Sequence, residues 1–450
     1  MKNSAVAAGL LTLLVLPRIP VASITVTANR AVADFPQEIR FEVAATSPSP
    51  IEAVELEFWT DALACGESLT RAFPEDFAPG TSIETEWTWD LRRTGALPPG
   101  TMVGWRWTLR DASGLEMTTP DQTLLFTDES IPWESVESDS LALYWHEGSA
   151  GFSQDLLQAG EQALASLRAR TGVELEGRSQ VFIYASSQEM QAATLFAPDW
   201  SGGLAFASHR TVLLAVAPGE QAWGMRALAH ELAHVVIGYY TFSCVDSTPT
   251  WLSEGLAMVA EGDMEPYYAG ILAQAVDENR LQSVRALGEI FSDDPDLARL
   301  AYAQSYSLVN YLSETYGQEQ MLDLLDGFRE GRSPDAALEA VYGFDRDGLE
   351  SAWRAWIGAP PMAPTPVGGP AATRTPYPTF APITGPVTAA TATPWPTAAQ
   401  LVGTPAGEPG AGAGALFSGS LLVFAAAVIC LVALVLMLVV GWLFLSRRKR

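Results

Sequence analysis

Alternating apolar and polar residues dominate positions 24–130 of the chain and predict β-strands there. The clearest runs place apolar side chains at Ile39, Phe41 and Val43, at Val54, Leu56 and Phe58, and at the pairs Trp87 with Trp89 and Trp105 with Trp107. Alternation of this length is typical of strands that bury one face. Turn signals such as Pro79-Gly80 and Pro98-Pro99-Gly100 separate the runs.

The number of runs indicates the architecture of this first domain. About six or seven short strands at this spacing predict an antiparallel β-sandwich, immunoglobulin-like or fibronectin III-like, for residues 24–130. The paired tryptophans predict core residues, and an exposed carbohydrate-binding platform is the alternative interpretation. We find no cluster of catalytic residue types in this part of the sequence and interpret it as a spacer or substrate-presenting module.

From about residue 140 the pattern changes to helical spacing with only a few strands. Predicted strands cover Leu141–Trp145 and Gln180–Tyr184, a helix covers Phe152–Thr171, a hairpin joins residues 203–207 to 211–216, and later helices cover Met321–Phe328, Pro334–Tyr342 and Leu349–Ile357. A small sheet followed by a run of helices predicts an α+β domain over residues 140–357.

Segments at both ends of the chain predict its location. Apolar residues 5–17 follow Lys2 and lead to small residues, which is the pattern of a signal peptide over 1–23, with an uncleaved anchor as the alternative. Residues 416–445 contain no charge and are long enough to span a bilayer as one transmembrane helix. Arginines and a lysine in the tail, 446–450, would keep that end cytoplasmic.

Between the folded part and this helix, residues 360–415 are rich in Pro, Thr, Ala and Gly and predict an extended stalk. The chain is therefore expected to be a single-pass protein of the plasma membrane. Its folded domains would face the outside of the cell, and its C-terminal helix would contact the lipid bilayer.

Charge and cysteine content narrow the expected partners. The chain carries 52 acidic and 26 basic residues, a formal net charge of −26. This charge repels nucleic acid, so no nucleic-acid partner is expected. Of the three cysteines, Cys430 lies in the apolar segment, and a bridge between Cys65 and Cys244 is conceivable but not required by the sequence.

The strongest chemical signal lies in the segment Trp223–Tyr240, which has helical spacing and contains no proline. Residues four apart share a helix face, so the imidazoles of His230 and His234 can bind one metal ion. Glu231 lies one step round the helix, where it can take a proton from a metal-bound water. This is the H-E-x-x-H arrangement, in which zinc lowers the pKa of that water. A helix with two buried structural histidines is the alternative.

A catalytic zinc ion usually has three protein ligands and one open position, so one more ligand is needed. Thr248 and Pro249 predict the start of a second helix, with Thr248 as its cap, and Glu254 about one turn inside it. Three other acids lie nearby: Asp246, Glu261 and Asp263. Because these fit ordinary surface positions, Glu254 is the preferred third ligand of a single Zn2+ ion.

With these motifs the chain resembles the gluzincin zinc metallopeptidases, the aminopeptidase N-like enzymes and the smaller peptidase MA-like proteins. The matching pieces are H-E-L-A-H at 230–234, W-L-S-E-G-L-A at 251–257 and Y-A-Q-S-Y-S-L-V-N-Y-L at 302–312. The resemblance covers residues 140–357 and implies a thermolysin-like peptidase domain. It implies zinc binding by His230, His234 and Glu254, with Glu231 as the general base.

The third matching piece implies an oxyanion donor. In relatives of this kind a helix of that pattern begins with a tyrosine that stabilises the tetrahedral oxyanion, a position that falls on Tyr302. Tyr306 lies four residues on, on the same helix face, and is the alternative donor. Both could instead be core tyrosines.

One departure from the family pattern bears on specificity. Aminopeptidases of this group carry a G-x-M-E-N strand whose glutamate binds the free amine of the substrate. The comparable residues 202–216 contain no acid, which favours an endopeptidase whose strand 203–207 pairs with the substrate. His209 and Arg210 could alternatively bind a substrate carboxylate, although a hairpin turn is the simpler interpretation.

Two function classes compete at this point. The first is a membrane-anchored extracellular zinc metallopeptidase that cleaves peptide or protein substrates. The second is a non-catalytic surface binding or adhesion module with a metal-stabilised domain. A purely structural metal site needs no base and usually has four protein ligands, so the intact Glu231 favours the enzyme.

Overall fold

The structure is a computed structural model that describes residues 23–66, 69–195, 202–245 and 248–361. Apart from Ser23, the predicted signal peptide lies outside the described residues, as do the transmembrane helix, the tail and all but the start of the stalk. Every helix within the described ranges is too short or too polar to cross a membrane.

Strands and helices follow one another in the order that the hydropathy pattern predicts. The strands are β1 (Thr25–Asp34), β2 (Glu38–Thr60), β3 (Thr70–Ala72), β4 (Gly80–Asp90), β5 (Thr101–Asp111), β6 (Glu116–Thr118), β7 (Gln122–Phe126), β8 (Glu134–Glu137), β9 (Leu141–Trp145), β10 (Ser179–Tyr184), β11 (Gly203–Phe206) and β12 (Thr211–Ala215). The helices are α1 (Leu91–Thr94), α2 (Ala150–Thr171), α3 (Ser187–Ala192), α4 (Gln221–Tyr240), α5 (Thr250–Ala260), α6 (Pro266–Asp277), α7 (Val284–Leu287), α8 (Pro295–Tyr316), α9 (Gln318–Arg329), α10 (Pro334–Tyr342) and α11 (Arg346–Trp356). Short 3₁₀ helices cover Ala207–His209 and Pro218–Glu220.

The long strand β2 organises the N-terminal β-rich domain. β1 and β4 flank its first half, β3 and β5 flank its second half, and β6 and β7 pair with β5, all antiparallel. The hydrogen-bond register shifts after Thr46, where Pro48 and Pro50 lack the N–H that a ladder needs. The prediction of a β-rich first domain is therefore confirmed, and a single bent strand links its parts.

Aromatic side chains fill the space between the two halves of β2. The ring of Phe41 lies 5.6 Å from that of Phe58 and 5.7 Å from that of Trp105. Trp105 and Trp107 are 4% and 0% exposed, and Trp89 packs against Phe58. Trp105 and Trp107 thus form core, as predicted, and Trp87 and Trp89 pack against that core half-buried.

A second sheet, in the order β11-β12-β10-β9-β8, begins the peptidase-like region. β9, β10 and β12 are parallel, and the edge strands β8 and β11 run antiparallel. Residues alternate across this sheet: Val181 and Ile183 belong to the core under α2 and α4, whereas Phe182 and Tyr184 contact Trp133 on the other face. β11 and β12 form the predicted hairpin.

The helices after residue 220 form a separate core that includes the fully buried Trp251 and Trp353. α5 packs along α8 within this core, and α9, α10 and α11 have the packing role predicted for them. Pro249 is the N-cap residue of α5, so the predicted cap at Thr248 is wrong. The hydroxyl of Thr248 instead lies 2.8 Å from that of Thr241.

Covalent and polar contacts join the two regions. Cys65, in the loop after β2, forms a disulfide with Cys244, in the loop after α4. The amide of Leu63 donates to the carbonyl of Ser208, 2.8 Å away, and Gln180 Nε2 donates to the carbonyl of Gly100. The bridge that the sequence left open is therefore present, and it lies next to the end of the motif helix.

Candidate metal centre

α4 presents the two motif histidines because its other faces are buried. Leu228, Leu232 and Val235 pack into the core beneath the sheet, and this packing fixes the rotation of the helix. His230 and His234 then project together from the remaining, partly exposed face, and their Nε2 atoms lie 3.2 Å apart.

α5 brings the third acidic side chain to the same point. Glu254 Oε2 lies 3.5 Å from the Nε2 atom of each histidine. Gly255 permits this position, because a Cβ there would lie 2.4 Å from the backbone carbonyl oxygen of Ser305 on α8. The close approach of α5 and α8 therefore depends on a glycine directly after Glu254.

Outer hydrogen bonds orient both imidazoles. His230 Nδ1 lies 2.8 Å from Glu261 Oε1, and His234 Nδ1 lies 3.0 Å from the hydroxyl of Ser253. A histidine that donates through Nδ1 keeps the lone pair of Nε2 for a metal ion, and such outer partners are a regular feature of metal-binding histidines.

The donor atoms fit a tetrahedral zinc ion. Ligand atoms about 2.0–2.1 Å from tetrahedral zinc lie about 3.3 Å from one another, and the three edges here are 3.2, 3.5 and 3.5 Å. Glu254 Oε2 is buried and has no hydrogen bond of ordinary geometry. Two imidazoles and a carboxylate leave a fourth position open, as catalytic zinc sites do.

Two members of this cluster, His230 and Glu254, have strongly shifted pKa values. Burial lowers the pKa of His230, but its contacts with Glu254 and Glu261 outweigh burial and raise the pKa to about 10. Burial raises the pKa of Glu254, but the two histidines lower it to about 2. Metal binding to these groups therefore competes with proton binding.

Glu231 lies beside this cluster without belonging to it. A Cβ on Gly203 would lie 2.7 Å from Glu231 Oε1, so the carboxylate rests directly against the edge strand β11. Burial raises the pKa of Glu231, and the charges of the two histidines oppose the shift. A buried carboxylate with a raised pKa is a suitable proton acceptor.

The two candidate tyrosines on α8 have different surroundings. Tyr302 is partly exposed and lines a cleft together with Glu254. Burial and then the charge of Glu254 raise the pKa of its phenol, so it stays protonated. Tyr306 is 8% exposed and belongs to the helical core. Position therefore favours Tyr302 as the group that can reach a substrate.

The other candidate residues from the sequence do not contribute to the metal cluster of the described residues. His209 and Arg210 form the turn between β11 and β12, where Arg210 has a left-handed φ of 53° and donates to the carbonyl of Glu176. Asp246 lies outside the described residues, and Asp263 is not part of the cluster.

Sequence reasoning missed the roles of Ser253, Glu261 and Gly203. Glu261 was considered only as a competing ligand, yet it contacts the outer nitrogen of His230. Ser253 stands directly before Glu254 in the second motif. Its position next to a predicted metal ligand could have indicated a role at the site. Gly203 carries no comparable signal, because its contact with Glu231 depends on the packing of α4 against β11.

The match to one protein-family model agrees with this geometry. Residues 159–359 match the Peptidase MA superfamily. This part of the chain is a gluzincin-like peptidase domain, and the protein is a metallopeptidase, a hydrolase. No curated protein matches the sequence.

Solved structures with a similar arrangement are distant. An M1 zinc metallopeptidase from Deinococcus radiodurans is 15% identical, with 77% of this chain and 95% of that chain covered and a TM-score of 0.33. Legionella pneumophila aminopeptidase A, in complex with aspartic acid, is 12% identical, with 70% and 47% covered and a TM-score of 0.35. This chain thus spans about half the length of the Legionella enzyme.

Proposed function

We propose that this protein hydrolyses peptide bonds with a zinc ion held by His230, His234 and Glu254. The observation that carries the proposal is the triangle of donor atoms with edges of 3.2, 3.5 and 3.5 Å, backed by an outer partner for each imidazole. When bound, zinc supplies a Lewis acid that lowers the pKa of water and polarises a carbonyl group.

Glu231 is the proposed general base. Its carboxylate is buried beside the cluster and rests against Gly203, so its orientation is restricted. In this role it accepts a proton from the attacking water at a carboxylate oxygen and passes it to the leaving amine. A positioned base of this kind contributes roughly 10²- to 10⁴-fold to a rate.

Tyr302 is the proposed oxyanion donor. Its phenol stays protonated at neutral pH because burial and the charge of Glu254 raise its pKa. A donor aimed at the developing oxyanion stabilises the transition state more than the substrate, and loss of such a donor costs about 10²- to 10³-fold in kcat.

An endopeptidase is the specificity that we propose. Among the described residues β11 is the edge strand of its sheet beside Glu231, and an extended peptide could add to this edge as a further strand. Residues 202–216, which include this strand, contain no carboxylate that could bind a free amine. An internal stretch of chain is therefore the better substrate.

We also propose that the peptidase domain faces the outside of the cell and that residues 416–445 anchor it in the membrane. The disulfide between Cys65 and Cys244 supports this location, since such bridges persist in oxidising compartments. Cleavage of intact cells with an external protease would release the catalytic domain if the proposal is correct.

Metal content tests the site. We expect about one zinc ion per chain in the purified full-length protein and clearly less in Glu254→Ala. Glu289→Ala is the matched control, because Glu289 is an exposed acid outside the cluster. A folded protein without zinc, or equal zinc in parent and Glu254→Ala, would contradict the three-ligand site.

A pair of tyrosine variants tests the donor. Tyr302→Phe should lower kcat by about 10²-fold with little change in metal content. Tyr306→Phe, a core change on the same helix, should leave kcat close to that of the parent. The reverse result would assign the role to Tyr306.

A further inference from the structure

A cleft of about 650 Å3, here called the junction cleft, lies where the β-rich domain meets the end of α4. Trp59 and Arg106 line it from the strands β2 and β5, Asp61 and Leu63 line it from the loop after β2, and Tyr239 lines it from α4. The proposed metal ligands and the proposed base do not line it. Sites for small molecules have volumes of roughly 300–1,000 Å3 and often lie at the junction of domains.

The ring of Trp59 lies directly against the backbone of the neighbouring strand. Trp59 pairs with Gly104 of β5, and a Cβ on Gly104 would lie 2.4 Å from two atoms of the ring. A residue with a side chain at this position would therefore displace the ring. Trp59 remains partly exposed and lines the junction cleft, so an aromatic surface is available to a ligand.

The loop that closes the junction cleft is fixed by several contacts. The amide of Met102 donates to Asp61 Oδ1 over 3.1 Å, and the amide of Asp61 donates to the carbonyl of Met102 over 3.2 Å. The amide of Leu63 donates to the carbonyl of Ser208, and the disulfide ties the same loop to the end of α4. Walls that are already in place reduce the entropy that a ligand loses on binding.

The charges around the junction cleft oppose an anionic ligand. The guanidinium of Arg106 lies 2.6 Å from Glu57 and 3.5 Å from Asp121. The positive charge of this lining residue is therefore balanced, and Asp61 adds an exposed carboxylate. A phosphate, sulfate or carboxylate group in the cleft would meet a net negative charge.

The aromatic rings of the junction cleft already have cations beside them. The guanidinium carbon of Arg106 lies 5.6 Å from the ring centroid of Trp59. The guanidinium carbon of Arg210 lies 5.2 Å from the ring centroid of Tyr239. A cationic ligand would have to displace an arginine from these positions, and a purely apolar ligand would cover Asp61 without a hydrogen bond. The walls therefore suit an uncharged ligand that has both apolar faces and hydrogen-bonding groups.

We propose that the junction cleft binds an uncharged oligosaccharide built of hexopyranose units. A pyranose ring has faces of C–H groups, which pack on aromatic rings, and hydroxyl groups around its edge. Trp59 and Tyr239 supply the aromatic rings, Asp61 Oδ2 accepts from sugar hydroxyls, and Arg106 Nη2 donates to them. Binding here attaches the protein to a glycan and requires no peptide hydrolysis, so it goes beyond the proposed function.

Titration calorimetry of the full-length protein tests this proposal with cellohexaose, laminarihexaose, chitohexaose and mannohexaose. We expect at least one of these neutral sugars to bind. Trp59→Ala should weaken that binding by about tenfold or more, because it removes a stacking surface. Ala64→Arg should abolish it, because Ala64 is an exposed lining residue and the longer side chain would fill the cleft without removing any of its contacts.

Trp356→Ala and Ala112→Arg are the matched controls. Trp356 is 44% exposed on α11, Ala112 is exposed after β5, and neither lines the junction cleft. Both variants should bind the sugar as the parent does. Failure of all four sugars to bind the folded parent, or equal binding by the parent and Ala64→Arg, would overturn the proposal.

A proline-rich peptide is the competing ligand, because such peptides dock in grooves lined by aromatic residues. Binding of decaproline, but of none of the sugars, that is lost in Ala64→Arg would overturn the proposal. Glu231→Gln should bind the sugar as tightly as the parent. A protein that binds sugar but cleaves no peptide would therefore support the junction cleft and contradict only the proposed function.

Discussion

The two folded regions treat their buried acids differently. In the β-rich domain, Glu57 is 7% exposed and pairs with Arg106 and Arg71 at 2.6 and 3.2 Å, and Asp111 accepts from the hydroxyls of Ser47 and Ser113. These carboxylates have ordinary hydrogen-bond and ion-pair partners.

In the peptidase domain, the buried Glu254 Oε2 has no hydrogen bond of ordinary geometry, only the two histidine Nε2 atoms 3.5 Å away, and Glu231 has a raised pKa. Leaving a buried polar group without a partner costs free energy, so native proteins rarely do it without a function. The contrast indicates that incompletely paired acids mark the working site, whereas fully paired acids have a supporting role.

The largest expected effect is a loss of activity that occurs when the carboxylate beside the metal site is changed, but not when a paired carboxylate of the β-rich domain is changed. Glu231→Gln should lower kcat/KM by about 10²- to 10⁴-fold with zinc content unchanged, because it removes only the base. Glu57→Gln, the matched change in the β-rich domain, should lower the melting temperature but not the activity of the folded protein. Equal activity loss in both variants would break the comparison.

The next effect tests how α5 is held against α8. Gly255→Ala should destabilise the protein by about 1–3 kcal/mol, because its Cβ would collide with the backbone of Ser305. Gly270→Ala on α6 has open space around the new Cβ and should be neutral or stabilising. Denaturant unfolding measures both, and a neutral Gly255→Ala would contradict the close approach.

A smaller effect concerns the outer partner of His230. Glu261→Gln should weaken zinc binding by about 10- to 100-fold, because it removes the carboxylate that orients the imidazole. Competition with a chelator measures the affinity. Glu265→Gln, at a partly exposed acid four residues on that pairs with Arg226 and not with a histidine, is the control and should leave the affinity unchanged.

The smallest effect tests a fully paired acid within the peptidase domain itself. Asp335 accepts hydrogen bonds from Arg346 and Arg285, which hold the pKa of its carboxyl well below the ordinary 3.8. Asp335→Asn should cost about 1 kcal/mol at pH 7, a figure reduced for partial exposure.

The pH dependence of that cost follows from the sign of the shift. A carboxyl group whose pKa is lower in the folded state stabilises the fold at pH values above its pKa in the unfolded chain, which is about 4. This stabilisation is lost as the pH falls through the pKa of the folded state. The difference between parent and Asp335→Asn in unfolding free energy should therefore shrink below pH 4. A constant difference from pH 7 to pH 2 would contradict this origin.

Much of the architecture follows from local patterns. Alternation along residues 39–43 and 54–58 predicted strands whose apolar faces are buried, and the spacing of His230 and His234 predicted that they share a helix face. The predicted helix cap at Thr248 is wrong because the hydroxyl of Thr248 contacts the hydroxyl of Thr241 instead of the start of α5. The domain limits and the segments outside the described residues stay predictions.

By itself the sequence determined the spacing of apolar residues in the main strands and helices, the class of the peptidase domain and the residues most able to bind zinc. These depend on residues that are close to one another in the sequence. Only the tertiary structure decided the partners of His230 and His234, the contact of Glu231 with Gly203 and the bridge from Cys65 to Cys244. Each of these joins residues on different elements. Their distances are set by how helices and strands pack, which no local pattern encodes.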